Sequence, residues 1–207
     1  KQGYGQTKII LGRKPIEDVL NSPDASEFTK QRLKLVLEIK KFTENELDLK
    51  KSMNYTTFFD TQEKPVAYNV VGCKKDSFTL YMWYFLIIGE VPYKGFFSKE
   101  DALEEKQYLD RQGYDTHINV VSAYSTLGYF NDPVFSTMLK YNDYYLAETI
   151  IHELTHNTIF IANHVDFNEN AASFIGKKGA MEFIKKKYGE DSEVYMQTLE
   201  ELSDNEI

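Results

Sequence analysis

A His-Glu-x-x-His string is the part of this chain best suited to chemistry. Residues 151–156 read Ile-His-Glu-Leu-Thr-His, which places His152 and His156 four positions apart. On a helix those positions lie on one face, a turn apart, so both imidazoles can reach one ion. Zinc takes imidazole nitrogen at about 2.0–2.1 Å, and a catalytic zinc site uses three protein ligands and one open position. The spacing therefore predicts that His152 and His156 bind zinc.

Two glutamates complete the predicted site in different roles. Glu153, beside the first histidine, would face the metal-bound water rather than the metal, where a general base must be. The third ligand must come from another element, and Glu169 follows a short break at residues 163–167. We expect Glu169 in the first turn of the next helix, where the helix dipole favours a carboxylate, and facing the histidines across an antiparallel helix pair. Small residues on that helix would permit close packing: Ala171, Ala172 and Gly176.

The histidines also have less specific interpretations. The string can arise by chance, in which case the pair would be surface or core histidines on an amphipathic helix. His164 lies in the predicted loop between the two helices, where it could contact substrate or be solvated. His117 lies in a predicted strand among polar neighbours. For these last two a structural role is favoured over a catalytic one.

Helices are predicted at both ends of the chain. Apolar residues recur at helical spacing over residues 26–47, which predicts a long helix. A short helix begins near Pro15, because proline is tolerated in a first turn. Ser98 opens another helix, with Asp101 three residues on, and Gly113 closes it. Three further helices are predicted at residues 144–162, 169–188 and 192–202.

The middle of the chain favours strands. Residues 66–73 and 80–88 are rich in aliphatic and aromatic side chains with turn-forming residues between them, so they predict two strands that could pair as a hairpin. Residues 115–123 predict a third strand, and the Asn-Asp-Pro at 131–133 predicts a turn. The pattern indicates an α+β fold in which a small central sheet is flanked by helices.

We expect one domain over residues 1–207. It would comprise a helical N-terminal part at about 1–60 and a small sheet at about 64–130. The zinc-binding helices would occupy about 143–188, and an acidic C-terminal helix about 190–207.

Composition limits the classes of partner. The chain is 42% hydrophobic and 27% charged, which supports a packed core. Its net charge of −8 argues against nucleic-acid binding, which needs a basic surface, and less strongly against binding to an anionic membrane. Cys73 is the single cysteine, so an internal disulfide and a Cys-based metal cluster are excluded. The most apolar stretch, residues 80–88, is too short to span a bilayer.

The metal-binding residues are part of a longer resemblance. Residues 151–156, followed by Asn168 and Glu169, resemble the gluzincin pattern of thermolysin-like peptidases, in which the downstream glutamate is a metal ligand. The chain also resembles a bacterial family described as predicted aminopeptidases, over nearly its whole length to about Gly179. The segments that carry this similarity are Gln6 with 9–16, 89–97, 113–115, 123–133 and 167–169.

The resemblance implies an active-site helix pair of the zincin kind near the C-terminus. It implies zinc-dependent hydrolysis of peptide bonds, by an aminopeptidase or another small-peptide peptidase, with a zinc ion as cofactor and a peptide as partner. A donor should stabilise the oxyanion of such a reaction. Tyr124, in the best-matching segment, is the first choice, with Tyr129 and Tyr93 behind it. Aromatic packing is the commoner role for each of these tyrosines.

The resemblance also implies export. Family members often look like periplasmic proteins or lipoproteins, whereas this chain shows no signal peptide. We therefore expect a periplasmic or membrane-anchored protein whose signal segment is absent from this chain and whose full-length precursor could carry a lipid anchor. A cytoplasmic location stays open.

The sequence departs from the related patterns at two places. Trp83 is followed by Tyr-Phe-Leu instead of Cys-Phe-Pro, which indicates a divergent member. Thermolysin-like enzymes support a ligand histidine with an aspartate four residues after the ligand glutamate, and here Ser173 holds that position. Glu148, one turn before His152, and Asp166 are the alternatives for that support.

Two rival functions do not require catalysis. The first is an inactive zinc-binding scaffold or regulator, against which Glu153 argues, because a non-catalytic zinc site does not need that residue. The second is a non-enzymatic envelope interaction protein in which the histidine pair is incidental. Zinc content separates the second rival from a metallopeptidase, and peptide turnover separates the first.

Overall fold

The computed structural model describes residues 2–85, 89–121 and 131–204 and has the α+β architecture expected from the sequence. Its helices in the described residues are α1 (Gln2–Gly12), α2 (Ile16–Asn21), α3 (Glu27–Asn45), α4 (Lys99–Arg111), α5 (Asp143–His156), α6 (Val165–Tyr188) and α7 (Glu193–Asp204), with a 3₁₀ turn at Met138–Lys140. Its strands there are β1 (Lys14–Pro15), β2 (Thr57–Phe59), β3 (Ala67–Lys74), β4 (Trp83–Phe85), β5 (Gly89–Val91), β6 (Lys94–Phe96), β7 (Tyr114–Val121) and β8 (Val134–Phe135).

The larger hydrophobic core joins α3 to α5 and α6. Ser26 caps α3 by accepting a hydrogen bond from the backbone N–H of Thr29, and one face of the helix buries Leu33, Val36 and Ile39. This matches the helix predicted over 26–47. By contrast, α1 was not predicted, because the glycines among its first residues disfavour a helix interior.

The main sheet has β3 at its centre, antiparallel to both β6 and β7. Helix α4 contributes Ala102 and Leu109 to a second, smaller core, which includes Val70 and Trp83. Strand β7 corresponds to the strand predicted at 115–123, of which residues 122 and 123 lie outside the described residues. A second three-stranded sheet, of shorter strands, has the order β1-β2-β8, and β4 pairs with β5 in a two-stranded sheet.

The strand predicted at 80–88 is wrong in its extent. Only Trp83–Phe85 forms a strand, and it pairs with Gly89–Val91; residues 86–88 lie outside the described residues. The hairpin with β3 is limited to one bridge, Cys73 with Leu80. Farther along β3, strand β6 already pairs with Tyr68, Asn69 and Val70. The segment therefore leaves the edge of β3 and forms a separate ribbon.

The start of α5 is held by several hydrogen bonds. Asn142 caps the helix by accepting from the N–H of Tyr145. The Arg32 guanidinium, on α3, bonds the Asp143 carboxylate and the backbone oxygens of Leu139 and Tyr141. Because charged hydrogen bonds are stronger than neutral ones, this network fixes where α5 begins.

Both predicted boundaries between α5 and α6 are wrong. Helix α5 ends at His156 rather than 162, and the Thr155 carbonyl accepts hydrogen bonds from the N–H groups of Thr158 and Ile159 in a tight turn. Helix α6 begins at Val165, before the predicted 169. Glu169 is therefore in the second turn of α6, where the helix dipole favours a carboxylate less than in the first turn.

The last helix, predicted at 192–202, is α7. In the described part of the chain, no helix combines the length and apolarity needed to cross a membrane. The arrangement of all 207 residues in one domain stays a prediction.

Candidate metal centre

Helices α5 and α6 bring three potential metal ligands together. The Nε2 atoms of His152 and His156 are 3.1 Å apart. Glu169 places one carboxylate oxygen 3.4 Å from Nε2 of His152 and the other 3.5 Å from Nε2 of His156. Ligand atoms of all three residues lie within 4.8 Å of one another, so this group could hold a metal ion. These are the three residues that the sequence predicted as ligands.

Close packing of the two helices depends on Gly176. A Cβ atom at this position would lie 3.1 Å from the backbone oxygen of Glu148 and 3.2 Å from Cβ of His152. Both distances are shorter than ordinary carbon contacts. Ala172, one turn earlier, is fully buried, whereas Ala171 is only partly buried. The predicted role of small residues therefore holds for Ala172 and Gly176, and Gly176 acts directly at the level of His152.

Asn168 fixes the connection between the two helices. Its side-chain amide donates to the backbone oxygen of Ile161 at 2.7 Å and accepts from the N–H of Ile161 at 2.9 Å. The residue is 3% exposed, so these bonds are shielded from water. Asn168 directly precedes Glu169. Its two hydrogen bonds therefore fix the start of α6 relative to the preceding loop, and with it the position of the Glu169 side chain.

The charges of the three residues support one another. The His152 and His156 contacts hold the pKa of Glu169 at about 2, well below its usual value. Burial lowers the pKa of His152, but the Glu169 contact and the charges of Glu153, Glu169 and Glu148 together raise it above its usual value. The His156 side chain is buried, whereas half of the Glu169 side chain is exposed. The ligand group therefore opens towards solvent on the Glu169 side.

The charge of Glu153 acts on two tyrosines, Tyr55 and Tyr93. Burial, and then the charges of Glu153 and Asp132, raise the pKa of Tyr55, whose side chain is fully buried. Tyr55 has a φ of +58°, a region that bulky residues rarely adopt. The backbone N–H of Tyr55 donates to the backbone oxygen of Asp132 at 2.7 Å. The side-chain oxygen of Asn54 accepts from the backbone N–H of Asp132 at 3.0 Å. The sequence does not predict Tyr55 as part of this region, because nothing local connects it with Glu153.

Tyr93 lies between β5 and β6 and is 40% exposed. Its pKa is raised by partial burial and by the charges of Glu169 and Glu153. Strand β5 also meets the α5–α6 connection, because a Cβ on Gly89 would lie 2.2 Å from the side-chain oxygen of Asn163. Tyr124 and Tyr129, the other candidates for the oxyanion donor, lie outside the described residues.

The remaining candidates are not members of the ligand group. His164 directly precedes α6 and is exposed, and His117 lies on β7 opposite Val71. Glu148 is half-buried one turn before His152, and burial raises its pKa, opposed by the charges of Lys177 and His152. No described residue is hydrogen-bonded to the buried Nδ1 of His156. Support of a ligand histidine by Glu148 or Asp166 therefore stays a prediction.

A family model described as "Putative aminopeptidase" matches residues 1–205 of the chain. No curated protein and no solved structure is significantly similar to this chain. Because the match covers almost the whole length, the chain belongs to this putative aminopeptidase family. The family name indicates a peptidase that acts on peptide substrates.

Proposed function

We propose that the chain is a zinc-dependent peptidase, with His152, His156 and Glu169 as the zinc ligands. The observation that carries the proposal is that donor atoms of all three residues lie within 4.8 Å of one another. The two Nε2 atoms are 3.1 Å apart, and the two Glu169 oxygens lie 3.4 Å from Nε2 of His152 and 3.5 Å from Nε2 of His156, respectively. Ligands about 2.0–2.1 Å from one tetrahedral ion lie about 3.3 Å from each other. Two imidazole nitrogens and one carboxylate are also the ligand set of the gluzincin pattern that the sequence resembles.

Glu153 and a tyrosine have separate proposed roles in hydrolysis. When bound, zinc would supply acidity to a water molecule and polarise the scissile carbonyl. Glu153 would accept a proton from the attacking water and pass it to the leaving amine. A tyrosine hydroxyl would donate to the oxygen on which charge develops. Tyr124 was the first choice from the sequence, and the electrostatic coupling of Tyr93 to Glu153 and Glu169 supports Tyr93 for this role.

The proposed substrate is a peptide, cleaved by an aminopeptidase or another small-peptide peptidase. Membership of the aminopeptidase family supports peptide hydrolysis. Export to the periplasm or to a membrane anchor remains part of the proposal and is suggested by the resemblance alone.

Two substitutions separate the proposed roles of the carboxylates. Glu169→Ala removes a ligand and should lower both zinc content and thermal stability, because metal binding is linked to the folded state. Glu153→Gln should retain zinc and nearly the same Tm. Its turnover of a peptide library should fall by about two to four orders of magnitude, because an amide cannot accept the proton. Elemental analysis, thermal unfolding and a peptide-cleavage assay provide the measurements.

The outcomes distinguish the proposal from its rivals. About one zinc per chain with no turnover of any peptide, in the unmodified protein, would indicate an inactive zinc-binding scaffold. A folded protein that takes up no zinc would refute the metallopeptidase assignment. Loss of zinc from Glu153→Gln with retention by Glu169→Ala would show that the two roles are exchanged.

A further inference from the structure

An extended segment of the chain exposes an apolar face. From residue 78 to 84, alternate side chains point outwards: Phe78, Leu80, Met82 and Tyr84 are 102%, 48%, 44% and 70% exposed. Of the side chains between them, Thr79 is exposed, Trp83 is buried, and Tyr81 packs edge-on against Trp83 and Tyr114 in the smaller core. From residue 80 onwards the segment therefore has one packed apolar side and one open apolar side. We call the open one the 78–84 face.

Positive charge lies beside this face at its most exposed end. Lys74 and Lys75 are exposed at the turn that leads to Phe78. Among the residues that the structure describes, no ion pair shorter than 4.0 Å includes either lysine. The whole chain carries −8, which disfavours approach to an anionic surface in general. The exposed Asp76 follows them, so the turn at residues 74–77 holds two positive charges and one negative charge, and the charge of Lys75 also acts on the Asp110 carboxylate.

We propose that the 78–84 face docks on an anionic phospholipid surface, with Phe78 and Met82 in the interface and Lys74 and Lys75 against the headgroups. Aromatic side chains with an adjacent basic pair are suited to the boundary between headgroups and acyl chains. Lysines next to an anionic membrane also add electrostatic attraction.

The size of the face favours a membrane over a second copy of this chain. A fully exposed large aromatic side chain offers about 150–250 Å². At their exposures, the four side chains together offer about 500 Å². A stable protein interface needs about 800 Å² from each partner. A lipid surface has no such minimum, because insertion of a few side chains adds to the charge attraction.

Vesicle sedimentation of the 207-residue chain tests the proposal. The chain should sediment with vesicles of phosphatidylcholine mixed with phosphatidylglycerol, less with pure phosphatidylcholine, and less again at high salt. Phe78→Ser combined with Met82→Ser should weaken partitioning at least tenfold. Lys74→Glu combined with Lys75→Glu should also weaken it more than tenfold, since each lysine near the surface contributes about fivefold.

Matched substitutions elsewhere control for changes in total charge and hydrophobicity. Lys50 and Lys51 are another adjacent exposed pair, and Phe174 on α6 is 64% exposed. Lys50→Glu with Lys51→Glu, and Phe174→Ser, should leave partitioning within about twofold of the unmodified chain. Circular dichroism of every variant verifies folding.

Three results would overturn the proposal. They are the absence of sedimentation with either kind of vesicle, equal loss in the control variants, and concentration-dependent dimerisation that Phe78→Ser with Met82→Ser abolishes. The last would assign the face to a second copy of the chain. None of these measurements depends on zinc or on peptide turnover.

Discussion

Replacement of Gly176 by alanine should separate helix packing from metal geometry. Alanine normally stabilises a helix interior by about 0.5–1 kcal/mol relative to glycine. At Gly176 the added Cβ would lie 3.1 Å from the Glu148 backbone oxygen and 3.2 Å from Cβ of His152. Neither atom is the end of a movable side chain, so α6 must shift by a few tenths of an ångström. Overpacking of this kind costs about 1–3 kcal/mol, so the net result should be destabilisation by about 0.5–2 kcal/mol.

The same shift should reach the metal site, because Glu169 is carried by the helix that moves. We expect zinc affinity, measured by competition with a chelator, to fall about tenfold, as when the support of a ligand is disturbed. Each kcal/mol should also lower Tm by about 2–4 °C.

The matched control is Gly179→Ala, one turn later on α6. Its Cβ would meet side-chain atoms instead, with Cδ1 of Leu47 at 2.7 Å and Ile151 at 3.2 Å. These side chains can partly adjust, so Gly179→Ala should affect stability while leaving zinc affinity nearly unchanged. If Gly176→Ala raised Tm and kept full zinc affinity, the close approach of α6 to His152 would be refuted.

Two further predictions concern the carboxylate and tyrosine side chains of the site. Tyr93→Phe should lower kcat by about 10²–10³-fold with little change in KM or zinc content, because an oxyanion donor acts in the transition state; a loss confined to KM would contradict this. In the chelator-treated chain, Glu169 has a depressed pKa of about 2, so its contribution to stability is present above pH 4.5 and is lost as the pH falls through about 2. The pKa of His152 is raised above 6.5, so the contribution of its charged form to the free energy of unfolding is lost as the pH rises through this raised pKa. Urea unfolding of the chelated protein and of Glu169→Gln should therefore differ most between about pH 4.5 and 6.5, and a difference independent of pH would refute the pairing.

The approach of His152, His156 and Glu169 was predictable because the geometry of the two histidines is local. Residues four apart on a helix share a face whatever the surrounding fold, so His152 and His156 follow from spacing alone. Glu169 required an antiparallel helix pair, which the predicted break at 163–167 allows, and the small residues Ala171, Ala172 and Gly176 predicted that the two helices could approach closely. The distances of 3.4 and 3.5 Å from the Glu169 oxygens to Nε2 of His152 and His156 confirm that the three side chains come together. The complete burial of Ala172 agrees with close packing of α6.

What the sequence could not provide depends on contacts between distant segments. The predicted end of α5 is six residues too late, because the apolar residues after Asn157 continue a helical pattern. In the structure, the Asn168 amide binds the backbone of Ile161 and holds this segment outside the helix. Tyr55, nearly a hundred residues earlier in the chain, is influenced by the charge of Glu153 and has a backbone conformation that no local pattern predicts. The split of the segment at 80–88 follows from competition by β6 for the same edge of β3.

The separation of the two hydrophobic cores has a consequence for local unfolding. The ligand helices belong to the larger core, whereas Phe96 and Trp83, on the strands around Tyr93, belong to the smaller one. Small cooperative units open at lower free energy than the whole molecule. Transient opening of the smaller core would move Tyr93 away while α5 and α6 remained closed. Amide hydrogen exchange in β4–β6 should accordingly be faster than in α5, and the proposed metal site would become more accessible while His152, His156 and Glu169 stayed together.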